Sequence, residues 1–205
     1  RIISKTTGLD IDGFISPDKH VLWIDTKTPE MLVGTSRVNY GEVDAISKIL
    51  NKLYQSDCFY NYQTLWENDE DKQIGLISFY GKQLKLLREL RKQYKEIPIR
   101  ISTVDRFQGM ERNIIIVSMV RSNCITSDKS QRADYELYPN LGFAEQKDLG
   151  FAKSPNRLNV ALSRAKRLLI IVGNSNLFRT KEIYDNVYRC IENSPYGKII
   201  KAEEL

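Results

Sequence analysis

Two polar segments hold the side chains of this sequence best suited to handling phosphate. Ser102–Asn113 reads Ser-Thr-Val-Asp-Arg-Phe-Gln-Gly-Met-Glu-Arg-Asn and lies directly between two apolar runs. Its polar residues therefore crowd the carboxyl end of the first run. Thr103 and Asp105 can cap a following helical turn whose N–H groups favour an anion, and Gly109 permits a close backbone approach or a positive φ. The second segment, Asn156–Lys166, reads Asn-Arg-Leu-Asn-Val-Ala-Leu-Ser-Arg-Ala-Lys. Leu158, Ala161, Leu162 and Ala165 follow helical spacing and make one apolar stripe, with small residues that pack tightly. Arg157 and Arg164 are expected to share a helix face, one pointing from each end, and their planar guanidinium groups can take phosphate oxygens two at a time. A plainer reading stays open for each segment. The first also suits a capped turn with a flexible glycine, the second a solvated helix face with arginines near a favourable C-terminal dipole.

The elements that must position these residues alternate. Runs at Val21–Ile24, Ile74–Phe79, Ile99–Val104, Ile114–Val120 and Leu168–Val172 are apolar throughout, as strands buried on both faces of a parallel sheet must be. Between them, Val43, Ile46, Ile49, Leu50 and Leu53 fall on one helical face, as do Leu84, Leu87 and Leu90. This alternation predicts right-handed βαβ crossovers and an α/β fold: a three-layer αβα sandwich on a mainly parallel sheet, with ligand sites at the carboxyl ends of the strands. Residues 122–154 break the rhythm with a polar stretch containing Tyr135, Tyr138 and Pro139, which reads as a long loop or insertion. After Ile191 the sequence predicts a last turn and a short extended end, Lys198–Lys201.

A chain of 205 residues fits one domain, 1–205, with a real core. No apolar run approaches the roughly 18 residues that a membrane span needs. The net charge of +5 and pI near 9.0 suit an anionic partner such as nucleic acid. Cys58, Cys124 and Cys190 are odd in number and far apart, which points away from a disulfide framework or a zinc site and toward a reducing, cytoplasmic setting. His20, the single histidine, precedes an apolar run and is read as a surface or strand-edge residue.

Taken together and in order, the two segments resemble motifs V and VI of superfamily 1 helicases. The resemblance is strongest to the group containing the nonsense-mediated-decay helicase and its DNA-acting relatives. Motif V is similar to Thr103-Val-Asp-Arg-Phe-Gln-Gly-Met-Glu111, and motif VI to Arg157-Leu-Asn-Val-Ala-Leu-Ser-Arg-Ala-Lys166 with the trailing Ile-Ile-Val-Gly-Asn174. Ile74-Gly-Leu-Ile-Ser-Phe-Tyr-Gly-Lys-Gln83 resembles motif IV, and Ser36-Arg-Val-Asn-Tyr-Gly-Glu42 resembles the family's S-x-x-N-x-x-E-A stretch. The likeness spans about residues 33 to 174.

The resemblance implies a RecA-like fold and a role for each matching residue. Arg164 would be an arginine finger reaching the γ-phosphate of ATP held in a facing domain. Gln108, Gly109 and Glu111 would line the nucleotide side of the cleft. Ser78, Tyr80 and Thr103 would contact the phosphodiester backbone of single-stranded DNA or RNA. Arg121 is a candidate for a further phosphate or interdomain contact, and equally for a structural ion pair. Three residues depart from the family pattern: Phe79 stands where Pro is usual, Val43 where Ala is usual, and Gly41 is expected to loosen the start of the helix behind it.

The G-x-x-x-x-G-K-[ST] loop that cradles ATP does not occur in the sequence, and no acidic strand end replaces the carboxylates that hold Mg²⁺. The family's Q-Y-R-x-H-P stretch is absent as well. The chain is therefore expected to be the second motor domain of a longer helicase, with ATP and Mg²⁺ held mainly by a first RecA-like domain upstream. That protein would be intracellular, and nuclear in a eukaryote. Two other readings compete: a non-catalytic binding or docking module derived from a motor domain, and a Rossmann-type cofactor enzyme. The latter lacks G-x-G-x-x-G after its first strand.

Overall fold

A computed structural model of the chain describes residues 8–11, 13–66, 72–122, 124–126, 144–145 and 148–205. Its main sheet contains β1 (Val21–Asp25), β4 (Ile74–Ser78), β5 (Ile99–Thr103), β6 (Arg112–Ser118), β9 (Ala165–Gly173) and β10 (Gly197–Lys201). The order across the sheet is β10-β1-β9-β6-β4-β5, and every pair is parallel. β4 and β6 are buried along their whole length, as their continuous apolar runs require.

Side chains alternate between two cores, one on each face. Ile114 and Ile116 of β6 join Ile74, Leu76 and Ile170 beneath α1 (Tyr40–Tyr54), α2 (Asp57–Thr64) and α3 (Gly81–Arg91). Ile115 and Val117 point the other way, with Ile77, Leu169 and Ile171, toward α4 (Pro155–Leu162), α5 (Ser175–Phe178) and α6 (Glu182–Asn193). The result is the three-layer αβα sandwich that the alternation predicts. α1 buries Ile46, Ile49, Leu50 and Leu53 and is capped by Asn39, whose side-chain oxygen accepts from the Glu42 amide.

Several expectations change in the structure. α6 occupies a stretch assigned no helix from sequence before its last turn; it buries Tyr184, Tyr188 and Ile191 at helical spacing. Gly41 does not loosen α1: a Cβ there would overlap the Thr28 side chain, so the glycine admits a close approach. His20 is buried at the edge of β1, its ring edge-on to Tyr196 at 5.3 Å.

A second sheet, β3-β2-β7-β8, flanks the first. It pairs β2 (Glu30–Val33) with β3 (Ser36–Val38) in a hairpin and with β7 (Cys124–Thr126) in parallel, and β7 with β8 (Ala144–Glu145) antiparallel. Among the described residues of 122–154 are two strands and a 3₁₀ turn, Gly150–Lys153, in the stretch that reads from sequence as a long loop or insertion. Tyr135, Tyr138 and Pro139, noted in that stretch, lie outside the described residues.

The connection from β5 to β6 is short and must recross β4 to restart a parallel strand. It does so through a 3₁₀ turn, Asp105–Phe107, that plants the buried Phe107 ring over Gly75. A Cβ on Gly75 would lie 2.8 Å from the Phe107 ring and overlap the Ile115 side chain. Gly75→Ala is therefore expected to cost about 1–3 kcal/mol through overpacking, measured as a fall in the urea midpoint of unfolding.

Candidate nucleotide and strand edges

The candidate residues divide between opposite ends of the sheet. At the amino end, β6 and β9 start together, with Arg112 opposite Ala165, and the Arg112 N–H donates to the Arg164 carbonyl at 3.0 Å. The crossing segment delivers Gln108 and Gly109, both exposed, and the half-buried Glu111 to this edge. Gly109 has φ +84 with open space around it, so the glycine is required by backbone conformation and not by packing. Arg112 stabilises the turn from beneath: its guanidinium donates to the Glu111 carbonyl at 2.7 Å and lies over the Phe107 ring.

Arg164 is half-buried, and its backbone meets Arg112, the residue after Glu111. Its guanidinium folds back onto the end of α4, with Nε donating to the Val160 carbonyl at 3.1 Å and a terminal nitrogen to Ser163 Oγ at 2.7 Å. α4 stops at Leu162. Arg164 therefore does not share a helix face with Arg157; it lies beyond the cap, where β9 begins one residue later. The two arginines serve different ends of the domain.

At the carboxyl end, Thr103, Ser78 and Ser118 align across β5, β4 and β6. Thr103 is half-buried, and its hydroxyl accepts from the Arg106 amide at 3.3 Å, capping the turn as its type predicts. Asp105 is engaged otherwise: its carboxylate accepts two hydrogen bonds from Arg157, each 3.0 Å. Thr103, Val104, Asp105, Phe79, Phe151 and Arg157 line an open depression. Measured along β6 at ~3.3 Å per residue, the two edges stand about 20 Å apart.

Ser78, Tyr80 and Arg121 lie deeper than expected. They are 0%, 4% and 2% exposed, so in this structure their side chains support the edge from below and do not present themselves at its surface. Arg121 adopts the ion-pair alternative: Nε donates to Glu30 at 2.7 Å, while the Ser122 amide donates to the same carboxylate at 2.9 Å and Arg37 to its other oxygen. The Tyr80 hydroxyl accepts from Arg121 at 3.5 Å and from the Phe151 amide at 3.4 Å. Glu30 was not legible as a site residue, because nothing in the short run Glu30–Val33 signals a buried carboxylate.

Beside this pair runs a second buried network joining the S-x-x-N-x-x-E stretch to motif IV. The Asn39 amide donates to Gln83 Oε1 at 2.9 Å, and Gln83 Nε2 donates to Asn39 O and Ser118 Oγ at 3.1 and 3.0 Å. The Ser118 hydroxyl donates to Glu42 at 2.6 Å, and Glu42 also accepts the Val120 N–H at 2.8 Å. Val120 has φ +70, and the Arg121 N–H donates to the Met119 carbonyl across it at 2.9 Å. This is the rare three-residue γ-turn with positive central φ. The spacing of Ser36, Asn39 and Glu42 was the available signal for this network. β1 also ends on an acid, Asp25, whose carboxylate accepts the Ser175 N–H at 2.8 Å.

The AAA domain family matches residues 4–176, and the chain belongs to that family. It is 32% identical to the DNA polymerase alpha-associated DNA helicase A of Saccharomyces cerevisiae, over 75% of this chain and 19% of that protein. It is 30% identical to the regulator of nonsense transcripts 1 homolog of Drosophila melanogaster, over 83% of this chain and 12% of that protein. To the same organism's probable RNA helicase armi it is 37% identical, over 60% of this chain and 9% of that protein. The chain thus spans less than a fifth of the length of these relatives. They are superfamily 1 helicases, and the parallel sheet with its two helical layers is a RecA-like α/β fold. Among the described residues, no cluster of three or more acidic, His or Cys side chains is placed to hold a metal ion, and no helix is long and apolar enough to cross a membrane.

Burial pushes the Glu42 carboxyl up from its ordinary 4.5 to about 8; the nearby Glu30 carboxylate adds to this, against the pull of the Ser118 hydroxyl and the Val120 amide. Between these two values the native state binds more protons than the unfolded chain, so this group makes stability fall as pH rises from 4.5 toward 8. Glu42→Gln keeps the shape of the group but cannot titrate in this range, and it is expected to flatten that slope. Chemical denaturation at intervals between about pH 5 and 9 measures it.

Proposed function

We propose that this chain is the second motor domain of an ATP-dependent superfamily 1 helicase acting on DNA or RNA, in the cytoplasm or, in a eukaryote, the nucleus. The observation that carries this reading is that the turn ending in Glu111 and Arg112 is joined to Arg164 at one edge, through the Arg112 N–H on the Arg164 carbonyl, while Thr103 stands at the other end of the same sheet. Nucleotide and strand would then be handled about 20 Å apart on one rigid sheet.

The donor set at the amino edge suits triphosphate oxygens: one permanently charged guanidinium, the backbone at Gly109 where no side chain intrudes, and the Gln108 and Glu111 side chains at the rim. It does not resemble a metal site, and the Mg²⁺ ligands are assigned to the first RecA-like domain with the phosphate-cradling loop. When bound there, ATP supplies the phosphoryl group whose transfer to water drives the cycle. Arg164 swings from Val160 and Ser163 across the interdomain gap and stabilises the charge that spreads over the transferred oxygens. Gln108, Gly109 and Glu111 hold the rim that admits it.

At the carboxyl edge Thr103 meets the backbone of a single strand. Ser78, Tyr80 and Arg121 shape the floor beneath it. Contacts of this kind position a strand without reading its sequence, as a translocating motor requires.

In the full-length protein, Arg164→Ala is expected to lower strand-stimulated ATP turnover by about 10³-fold, with a much smaller effect on nucleotide affinity. Steady-state phosphate release and nucleotide titration separate the two quantities. Turnover at the wild-type rate would reject the assignment and leave the non-catalytic module as the reading.

A further inference from the structure

Phe151 is more exposed than a phenylalanine in a pinned turn needs to be. The residue is 54% exposed although its ring packs against that of Tyr80 at 5.3 Å, whereas its neighbours Leu149 and Ala152 are 1% and 0% exposed. The turn is held on both sides: the Tyr184 hydroxyl donates to the Ala152 carbonyl at 2.6 Å, and the Phe151 amide donates to the Tyr80 hydroxyl at 3.4 Å. A fixed backbone thus presents an aromatic surface to solvent, beside the depression that Thr103 lines.

The surroundings favour a flat, uncharged, π-rich occupant. The Arg157 guanidinium lies over the Phe151 ring at 5.3 Å and is held there by both oxygens of Asp105. That bidentate pair neutralises the arginine, so this position is poorly suited to a phosphate and well suited to the face of a base. The exposed cations Arg106 and Lys153 follow Asp105 and Phe151 closely in sequence and add positive charge to the two segments that line the depression. A neutral stacking surface on a segment that also carries exposed cations matches the chemistry of a nucleotide, with an apolar base and a charged backbone.

We propose that Phe151, braced by Arg157 and Asp105, is a stacking platform for one nucleobase of a single strand running over the carboxyl edge. The inference rests on the strand-binding reading of that edge and adds to it a base contact made by a residue outside the four helicase motifs. The platform is indifferent to base identity, because every base offers a π face.

The test compares two kinds of single strand on the full-length protein by fluorescence anisotropy: labelled oligothymidylate and oligouridylate, and an abasic phosphodiester oligomer of the same length. Phe151→Ala and Phe151→Leu are expected to weaken binding of the base-bearing strands by about 10-fold while leaving the abasic oligomer unchanged. The leucine keeps the apolar bulk and so separates lost stacking from a disturbed turn. Phe151→Trp is expected to retain affinity, with indole emission quenched by the base-bearing strands and not by the abasic one. Unchanged affinity for base-bearing strands in the leucine variant, or an equal loss for both kinds of strand, would overturn the platform while the strand-binding reading stands. Wild-type protein that binds none of the three would overturn both.

Discussion

The hydrogen bond from the Val120 amide to the buried Glu42 carboxyl group is the contact on which the carboxyl edge depends. A β-branched residue with φ near +70 resists that conformation by roughly 1–3 kcal/mol. It persists because Glu42 takes the amide and Asn39 takes the Val120 carbonyl, both inside the core. The tight reversal this permits turns the chain out of β6 and brings Arg121 onto Glu30, which belongs to the second sheet. Removing Glu30 would leave the buried Arg121 guanidinium without its close counter-charge, so the pair helps to hold the turn that delivers Arg121 to it. One acid holds the strained backbone; the other receives what the turn delivers.

This arrangement explains why so much polarity lies beneath an edge that is itself only partly polar. Gln83, Ser118, Asn39 and Glu42 satisfy each other in a closed set, as buried polar groups must. The set ties the start of α1, the start of α3 and the end of β6 together. Those are the elements that support Thr103 and the Phe151 turn. At the opposite end, the crossing segment is set by packing: Phe107 sits over Gly75 with Arg112 above the ring, and the exposed turn at Gly109 follows from where that ring is anchored. The two edges are thus built differently, one from hydrogen bonds and one from sterics. β6 is the strand they share.

Much of the main sheet was legible because parallel strands buried on both faces leave an unmistakable apolar run, as at Ile114–Val117 and Leu168–Val172. The ends of those strands were less so. β6 begins at Arg112 and β9 at Ala165, because ladder pairing extends through polar residues that hydrophobicity does not mark. The second sheet left little trace: β3 has three residues and β8 two, too short for alternation to register. α6 was missed because its apolar stripe is made of tyrosines interleaved with charged residues.

The sequence by itself determined the alternation of strand and helix and the identity of the groups that could meet a phosphate, because these follow from residue type and local spacing. Only the tertiary structure decided that Arg157 binds Asp105 while the Arg164 backbone pairs with Arg112, that Arg121 is taken up by Glu30, and that Phe151 is left open to solvent. Those outcomes depend on which strand ends the sheet order brings together and on which charges burial forces into pairs. Neither is a property of any one segment of the chain.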